Sequence, residues 1–264
     1  MNTIFYNNKI KFRLIVLILT ILIYSCAETN HKIVKVSINE NISIADTIDN
    51  VEIEKIITPY RNKIKSLEQV IGYSEASYSV RDSELESTLG NLIADILYQE
   101  CNYEFKKINS REIDFALFNY GGIRSTLNEG EITQHNLFTI MPWKNVATVV
   151  KIDGQKVIDL IDYIDSENLA HPSSKLNIKF FEDKTSEVYI NGKKFNKEKD
   201  YYVLTSNFLQ EGGDKMTFFS NPIELHSLEL NLREVLISHI KNKKTIVSRL
   251  DNRIERIQWK EDIF

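Results

Sequence analysis

The 264-residue sequence is poor in the residues that build stapled, fibrous or metal-centred proteins. It holds only two cysteines, four prolines and nine glycines. Two cysteines cannot form a disulfide framework, and so little Pro and Gly argues against a collagen-like or low-complexity chain. Five histidines, His31, His135, His171, His226 and His239, are widely scattered. None lies in the HxH or HExxH spacing that would bring two imidazoles onto one metal ion. An excess of positive charge is also missing. The formal net charge is −4, which argues against binding nucleic-acid polymers, because phosphate neutralisation needs clustered Lys and Arg. The uncharged run from Leu14 to Tyr24 spans 11 residues, short of the roughly 20 that a membrane-crossing helix needs. What is present, 42% hydrophobic and 27% charged residues, is the usage of a globular chain, long enough for one large domain or two small ones.

Lys9, Lys11 and Arg13 precede that run, and residues 1–25 contain no acid. A basic flank followed by a short apolar core reads as an export signal. The run ends in Ile23-Tyr24-Ser25-Cys26, which resembles a bacterial lipobox. The resemblance implies cleavage before Cys26 and acylation of its thiol. The expected product is exported and lipid-anchored in the bacterial cell envelope, on a periplasmic or outer-membrane face. Loss of the three bases takes the net charge from −4 to −7. Residues 26–45 are polar and lack a period, so they read as a flexible tether. The folded domain is expected over 46–264, with Cys101 as a packed thiol near a helix end.

Leu85, Leu89, Leu92, Ile93, Ile96 and Leu97 form one helical stripe. Ser83 with Glu86 makes a capping box, which predicts a helix start near residue 84. Ile113–Phe118 reads as a short buried strand that ends in the turn chemistry of Asn119-Tyr120-Gly121-Gly122. Val146–Ile152 reads as a β-branched strand, and a helix follows the Asp153-Gly154 turn. Residues 176–181 and 188–190 look extended, and Asn191-Gly192 is a two-residue hairpin signal. Residues 200–205 read as a further strand. Leu228, Leu232, Val235, Leu236 and Ile240 read as a last helical stripe. No repeat or Pro/Gly-rich linker divides the chain, and interleaved strands and helices with an antiparallel hairpin predict a mixed α/β domain.

Three loops join backbone freedom to polar or aromatic side chains. The first, Asn119 to Arg124, follows a strand. Its glycines Gly121 and Gly122 would let a ligand approach the main chain. Arg124 offers a planar fork suited to phosphate or carboxylate, although a Gly-Gly turn beside an arginine is commonly just a turn. The second, Met141-Pro142-Trp143-Lys144-Asn145, presents a tryptophan that is either a core plug or a stacking surface for a flat ring. The third runs from Ser206 to Asp214 and holds Asn207, Phe208, Gly212, Gly213 and a carboxylate. Taken together, two aromatics, an amide, a carboxylate and an arginine would suit a nucleotide.

These stretches also resemble one family. Glu86-Ser-Thr-Leu-Gly-Asn-Leu-Ile-Ala-Asp95 looks like the helix that opens the C-terminal domain of bacterial and animal 5′-nucleotidases. Asn119–Arg124 resembles that domain's Asn-Gly-Gly-Gly-Ile-Arg loop. Ile132-Thr133 to Met141-Pro142-Trp143 resembles its Ile-Thr…Leu-Pro-Phe segment. Asn207-Phe208 with Gly212-Gly213-Asp214 resembles its Asn-Phe-Leu…Gly-Gly-Asp loop. The order and spacing agree over roughly residues 50–256. The resemblance implies a four-layer α/β/β/α domain with mixed sheets. It implies substrate-binding roles for Asn119, Gly121, Gly122, Arg124, Trp143, Asn207, Phe208, Gly213 and Asp214. Arg124 would meet phosphate, Asn119 would line the nucleoside pocket, Trp143 and Phe208 would sandwich the base, and Asp214 would bond the ribose hydroxyls. Tyr120 stands where the family loop has glycine, Trp143 where Phe is usual, and Lys215 where glycine is usual. A further phosphate-binding arginine expected before the opening helix is matched by Ser83, with Arg81 two residues away.

In the resembled family, catalysis belongs to a separate metallophosphoesterase domain with Asp-x-His and Gly-Asn-His motifs, and neither motif occurs here. The expectation is therefore a chain with no catalytic residue, metal or cofactor of its own. A divalent metal pair would sit on a separate metallophosphoesterase subunit, and the ligand would be a nucleoside monophosphate or related nucleotide. The alternative is a nucleotide- or nucleoside-binding lipoprotein with no catalytic partner, and a third option is a surface lipoprotein whose pocket has decayed.

Overall fold

A computed structural model describes residues 51–257. The expected signal peptide (1–25), tether (26–45) and lipidated Cys26 lie outside the described residues.

The described chain opens with α1 (Val51–Leu67), which buries no side chain, and β1 (Val70–Ser74). The long helix α2 (Thr88–Asn109) follows, then β2 (Phe115–Leu117), β3 (Gly130–Thr133) and α3 (Gln134–Ile140). Next come β4 (Val146–Ile152), α4 (Gly154–Glu167), β5 (Ser173–Ser174), β6 (Leu176–Phe181), β7 (Ser186–Ile190) and β8 (Lys193–Lys194). The remaining elements are β9 (Tyr201–Ser206), a single turn α5 (Asn207–Gln210), β10 (Glu224–Asn231), α6 (Leu232–Lys243), β11 (Thr245–Ile246) and β12 (Ile254–Ile257).

The strands form three sheets, ordered β11-β1-β3, β10-β4-β9-β2-β5 and β12-β6-β7-β8. Each sheet contains both parallel and antiparallel pairs, so the mixed α/β expectation with mixed sheets holds. In the five-stranded sheet every residue of β9 is buried. It lies between β4 and β2, and its continuous apolar run suits a strand covered on both faces. α2 turns Leu89, Ile93, Leu97, Cys101 and Phe105 inward, all nearly inaccessible, and the stripe follows the helical period. The hairpin at Asn191-Gly192 forms as expected: both residues have positive φ, 49° and 72°, and join β7 to β8 antiparallel.

Two boundaries differ from expectation. α2 begins at Thr88 with Ser87 as its N-cap, the Ser87 hydroxyl accepting from Gly90 N–H. Glu86 is not a capping partner of Ser83. Its buried carboxylate instead accepts from the Asn91 amide and from the N–H groups of Asp251, Asn252 and Arg253. Leu228 lies in β10, where its half-buried side chain follows the strand's alternation, and the last helix starts only at Leu232. Cys101 is buried in the body of α2 rather than at its end, and burial pushes its thiol up to about 12. His239 is also buried, with Nδ1 2.7 Å from Glu100 Oε1.

Candidate functional site

The site is built at the five-stranded sheet, where β2 and β9 each release a loop and a further loop enters β4. β2 ends at Leu117, and Asn119 leads into a short 3-10 turn, Tyr120–Gly122. A Cβ on Gly122 would stand 2.8 Å from Asn119 Oδ1, so the absence of a side chain there is what lets the Asn119 amide fold under the turn. Behind the turn, Tyr120 N–H donates to Nδ1 of buried His171 at 3.2 Å. Burial holds the His171 pKa down at about 4, so the imidazole is neutral near pH 7 and Nδ1 is free to accept.

The second loop follows α3, which is capped by a reciprocal Thr133–Asn136 box. Arg233, buried near the start of α6, donates through Nη1 to the carbonyls of Met141 (2.9 Å) and Pro142 (3.1 Å). Its guanidinium carbon sits 3.7 Å from the Phe138 ring centroid. Trp143 is 59% exposed, so it is a presented ring and not a core plug.

The third loop leaves β9 through the α5 turn, whose N-cap is Ser206. Phe208 is 41% exposed, and one side of its ring rests on Gly213, where a Cβ would lie 2.5 Å from the ring carbons. Asp214 adopts a left-handed backbone, φ 51°. Its carboxylate accepts from the Asn119 amide at 2.5 Å, and its carbonyl accepts from the Tyr163 hydroxyl at 2.9 Å.

The loops meet around a cavity of about 410 Å³ lined by Asn119, Gly121, Gly122, Arg124, Trp143, Lys144, Asn145, Phe208 and Asp214. Seven of the nine expected substrate-binding residues are thus brought together. The other two stand behind the lining: Gly213 under the Phe208 ring, and Asn207 with its Oδ1 accepting from Val146 N–H at 2.8 Å. Arg81 lines an adjoining cavity of about 330 Å³ that shares Gly121 and Arg124 with the first. Sequence reasoning does not single out Tyr163, His171 or Arg233, which carry no motif and act on main-chain groups distant in sequence.

Chemically the cavity offers two flat rings, one carboxylate, the two carboxamides of Asn119 and Asn145 and the basic groups of Arg124 and Lys144. Among the described residues no three His, Cys, Asp or Glu side chains gather into a group able to hold a metal ion. The lone cavity carboxylate is already bonded to an amide, so a metal pair does not fit these residues.

Residues 70–221, more than half of the chain, match the family described as "5′-nucleotidase, C-terminal domain". The 5′-nucleotidase of Vibrio vulnificus (strain CMCP6) is 21% identical over 196 residues, covering 70% of this chain and 35% of that protein. Protein UshA of Escherichia coli (strain K12) is 26% identical over 172 residues, covering 63% of this chain and 30% of that protein. This chain thus spans about a third of the length of these relatives. The crystal structure of the 5′-nucleotidase precursor from Thermus thermophilus shares the fold, with a TM-score of 0.65 at 22% identity over 80% of this chain and 44% of that one. The chain belongs to the family of the 5′-nucleotidase C-terminal domain.

Proposed function

We propose that this chain is the nucleotide-binding half of a split 5′-nucleotidase. It would hold a nucleoside monophosphate while a separate metallophosphoesterase subunit, carrying a divalent metal pair, cleaves the phosphate ester. We also propose that it is exported and anchored to an envelope membrane through lipid on Cys26. One observation carries the binding reading: three loops far apart in sequence converge on a single cavity that presents Trp143, Phe208, Asp214, Asn119 and Arg124 together.

The base would lie between the exposed rings of Trp143 and Phe208, where stacking contributes about 1–3 kcal/mol per base. Asp214 has lone pairs left for ribose hydroxyls beyond the one that accepts from Asn119. The Arg124 guanidinium, exposed at the cavity wall, would meet phosphate oxygens through its fork of donors. These groups bind and orient. A metal pair does not fit the described residues, so no hydrolytic step is assigned to them. Fixing the ester against groups held by the partner is the contribution expected of this chain, because orientation alone removes much of the entropy cost of reaction.

Titration calorimetry with AMP and adenosine, on wild type and Trp143→Ala, tests the binding. The expected result is measurable AMP affinity that falls roughly tenfold or more in the variant, from the loss of one stacking face. Unchanged affinity would sink the base clamp. For the split arrangement, AMP hydrolysis with divalent metal is assayed for the chain alone and mixed with a candidate metallophosphatase. Turnover only in the mixture is expected, and robust turnover by the chain alone defeats the proposal.

A further inference from the structure

The segment 141–146, which carries Trp143 into the first residue of β4, is held at four of its six residues. At its start Arg233 takes the carbonyls of Met141 and Pro142 on one nitrogen while its plane lies against Phe138. At its end Leu232 N–H donates to Asn145 O at 3.0 Å. Beside that contact Val146 N–H donates to Asn207 Oδ1. These four points bracket Trp143 and Lys144. Asn207 directly precedes Phe208, so one side-chain amide ties the backbone that carries one ring to the loop that carries the other. The far side of the Phe208 ring is backed by Gly213.

We propose that Asn207 and Arg233 are positioning residues that set the gap between Trp143 and Phe208, with Asn207 a strut between the two loops and not a ligand contact. This rests on reading the two rings as a base clamp. A gap set by struts matters because dispersion falls steeply with distance: an opening of about 0.5–1 Å forfeits a quarter to a half of each contact. Arg233 suits its task in a way lysine would not. A planar guanidinium can stack on Phe138 and donate in its plane at the same time. The buried setting, with Arg233 4% exposed, makes the buried Met141 carbonyl dependent on it, since unpaired buried acceptors are costly.

The test compares AMP with ribose 5-phosphate, which lacks the base, by calorimetry on the full chain. Asn207→Leu and Arg233→Met are expected to weaken AMP roughly 5- to 50-fold, and ribose 5-phosphate by no more than about twofold. Asn207→Asp keeps an acceptor oxygen for Val146 N–H but loses the amide donor, so it is expected to bind AMP as wild type does. In a Trp259→Phe background, which leaves Trp143 as the sole tryptophan, both loop-releasing variants are expected to speed the anisotropy decay of Trp143. Loss of AMP binding in Asn207→Asp with ribose 5-phosphate binding retained overturns the strut and makes Asn207 a ligand contact; that comparison still decides if Asn207→Leu does not fold. Trp143→Ala weakened while Asn207→Leu and Arg233→Met match wild type overturns this inference alone. Trp143→Ala unchanged overturns the clamp beneath it.

Discussion

Single atoms decide the shape of the cavity, and its supports are harder to see in sequence than its walls. Asn119, Arg124, Trp143, Phe208 and Asp214 stand in loops marked by paired glycines, a Pro-Trp step and strand ends, so they are legible as a set. His171 is not. Its ring acts on Tyr120 N–H, 51 residues away, and a backbone contact leaves no spacing signature. The same holds for Tyr163, whose hydroxyl reaches Asp214 O across 51 residues, and for Arg233, whose nitrogen reaches Met141 O across 92. His171 also makes a pH prediction. Its folded pKa is about 4 against an ordinary 6.5, held down by burial. As pH falls, the unfolded chain takes the proton first. The stability tied to neutral His171 is therefore complete above pH 6.5 and is lost as pH drops towards 4, with a slope of at most about 1.4 kcal/mol per pH unit. Urea unfolding of wild type and His171→Gln at pH near 7 and near 5 measures it. Wild type is expected to lose more stability than the variant over that step, and equal losses refute the assignment.

At the scale of elements, local pattern and tertiary demand disagree at two helix starts. Ser83 and Glu86 satisfy the capping-box spacing, whereas the true cap Ser87 has Gly90 three residues on, so the pattern favours the wrong serine. Tertiary structure claims Glu86 instead, because the 251–253 segment needs an acceptor for its N–H groups. Leu228 misleads for another reason. It stands four residues before Leu232, which imitates a helical stripe, yet it also alternates in phase with β10. α1 shows that a stripe need not mean burial: Ile53, Ile57, Tyr60, Ile64 and Leu67 fall at helical spacing, yet the helix buries none of its side chains. Glu86 gives the test at this scale. Glu86→Ala strips one carboxylate from the Asn91 amide and three main-chain donors and is expected to cost roughly 2–4 kcal/mol. Denaturant unfolding measures the loss, and faster amide exchange is expected in β12, which follows the released segment. A loss below about 1 kcal/mol, or unchanged protection of β12, would show that other contacts hold that segment.

At the scale of the whole molecule, this chain matches only part of each relative. The chain covers 35% of the Vibrio vulnificus protein and 30% of Protein UshA, and its matched stretch is the C-terminal domain of the family. Under the proposed split arrangement the binding half would act only beside its partner, which would give the proposed lipid on Cys26 a purpose. Cys26→Ser expressed in a bacterial host is expected to lose label from a radiolabelled fatty acid and to leave the membrane fraction. Label retained by the variant would defeat the anchor. The sheets themselves set an order of events during synthesis. β1 runs beside β11 and β6 beside β12, both in parallel, and Ser248 N–H reaches the Tyr78 hydroxyl across 170 residues. Early strands therefore wait with open edges until residues 245–257 have been made, and such distant pairings are slow to close. The fold is one that completes late, after nearly all of the described chain has left the ribosome, so under the proposed export a translocation channel would meet a polypeptide still loose enough to thread.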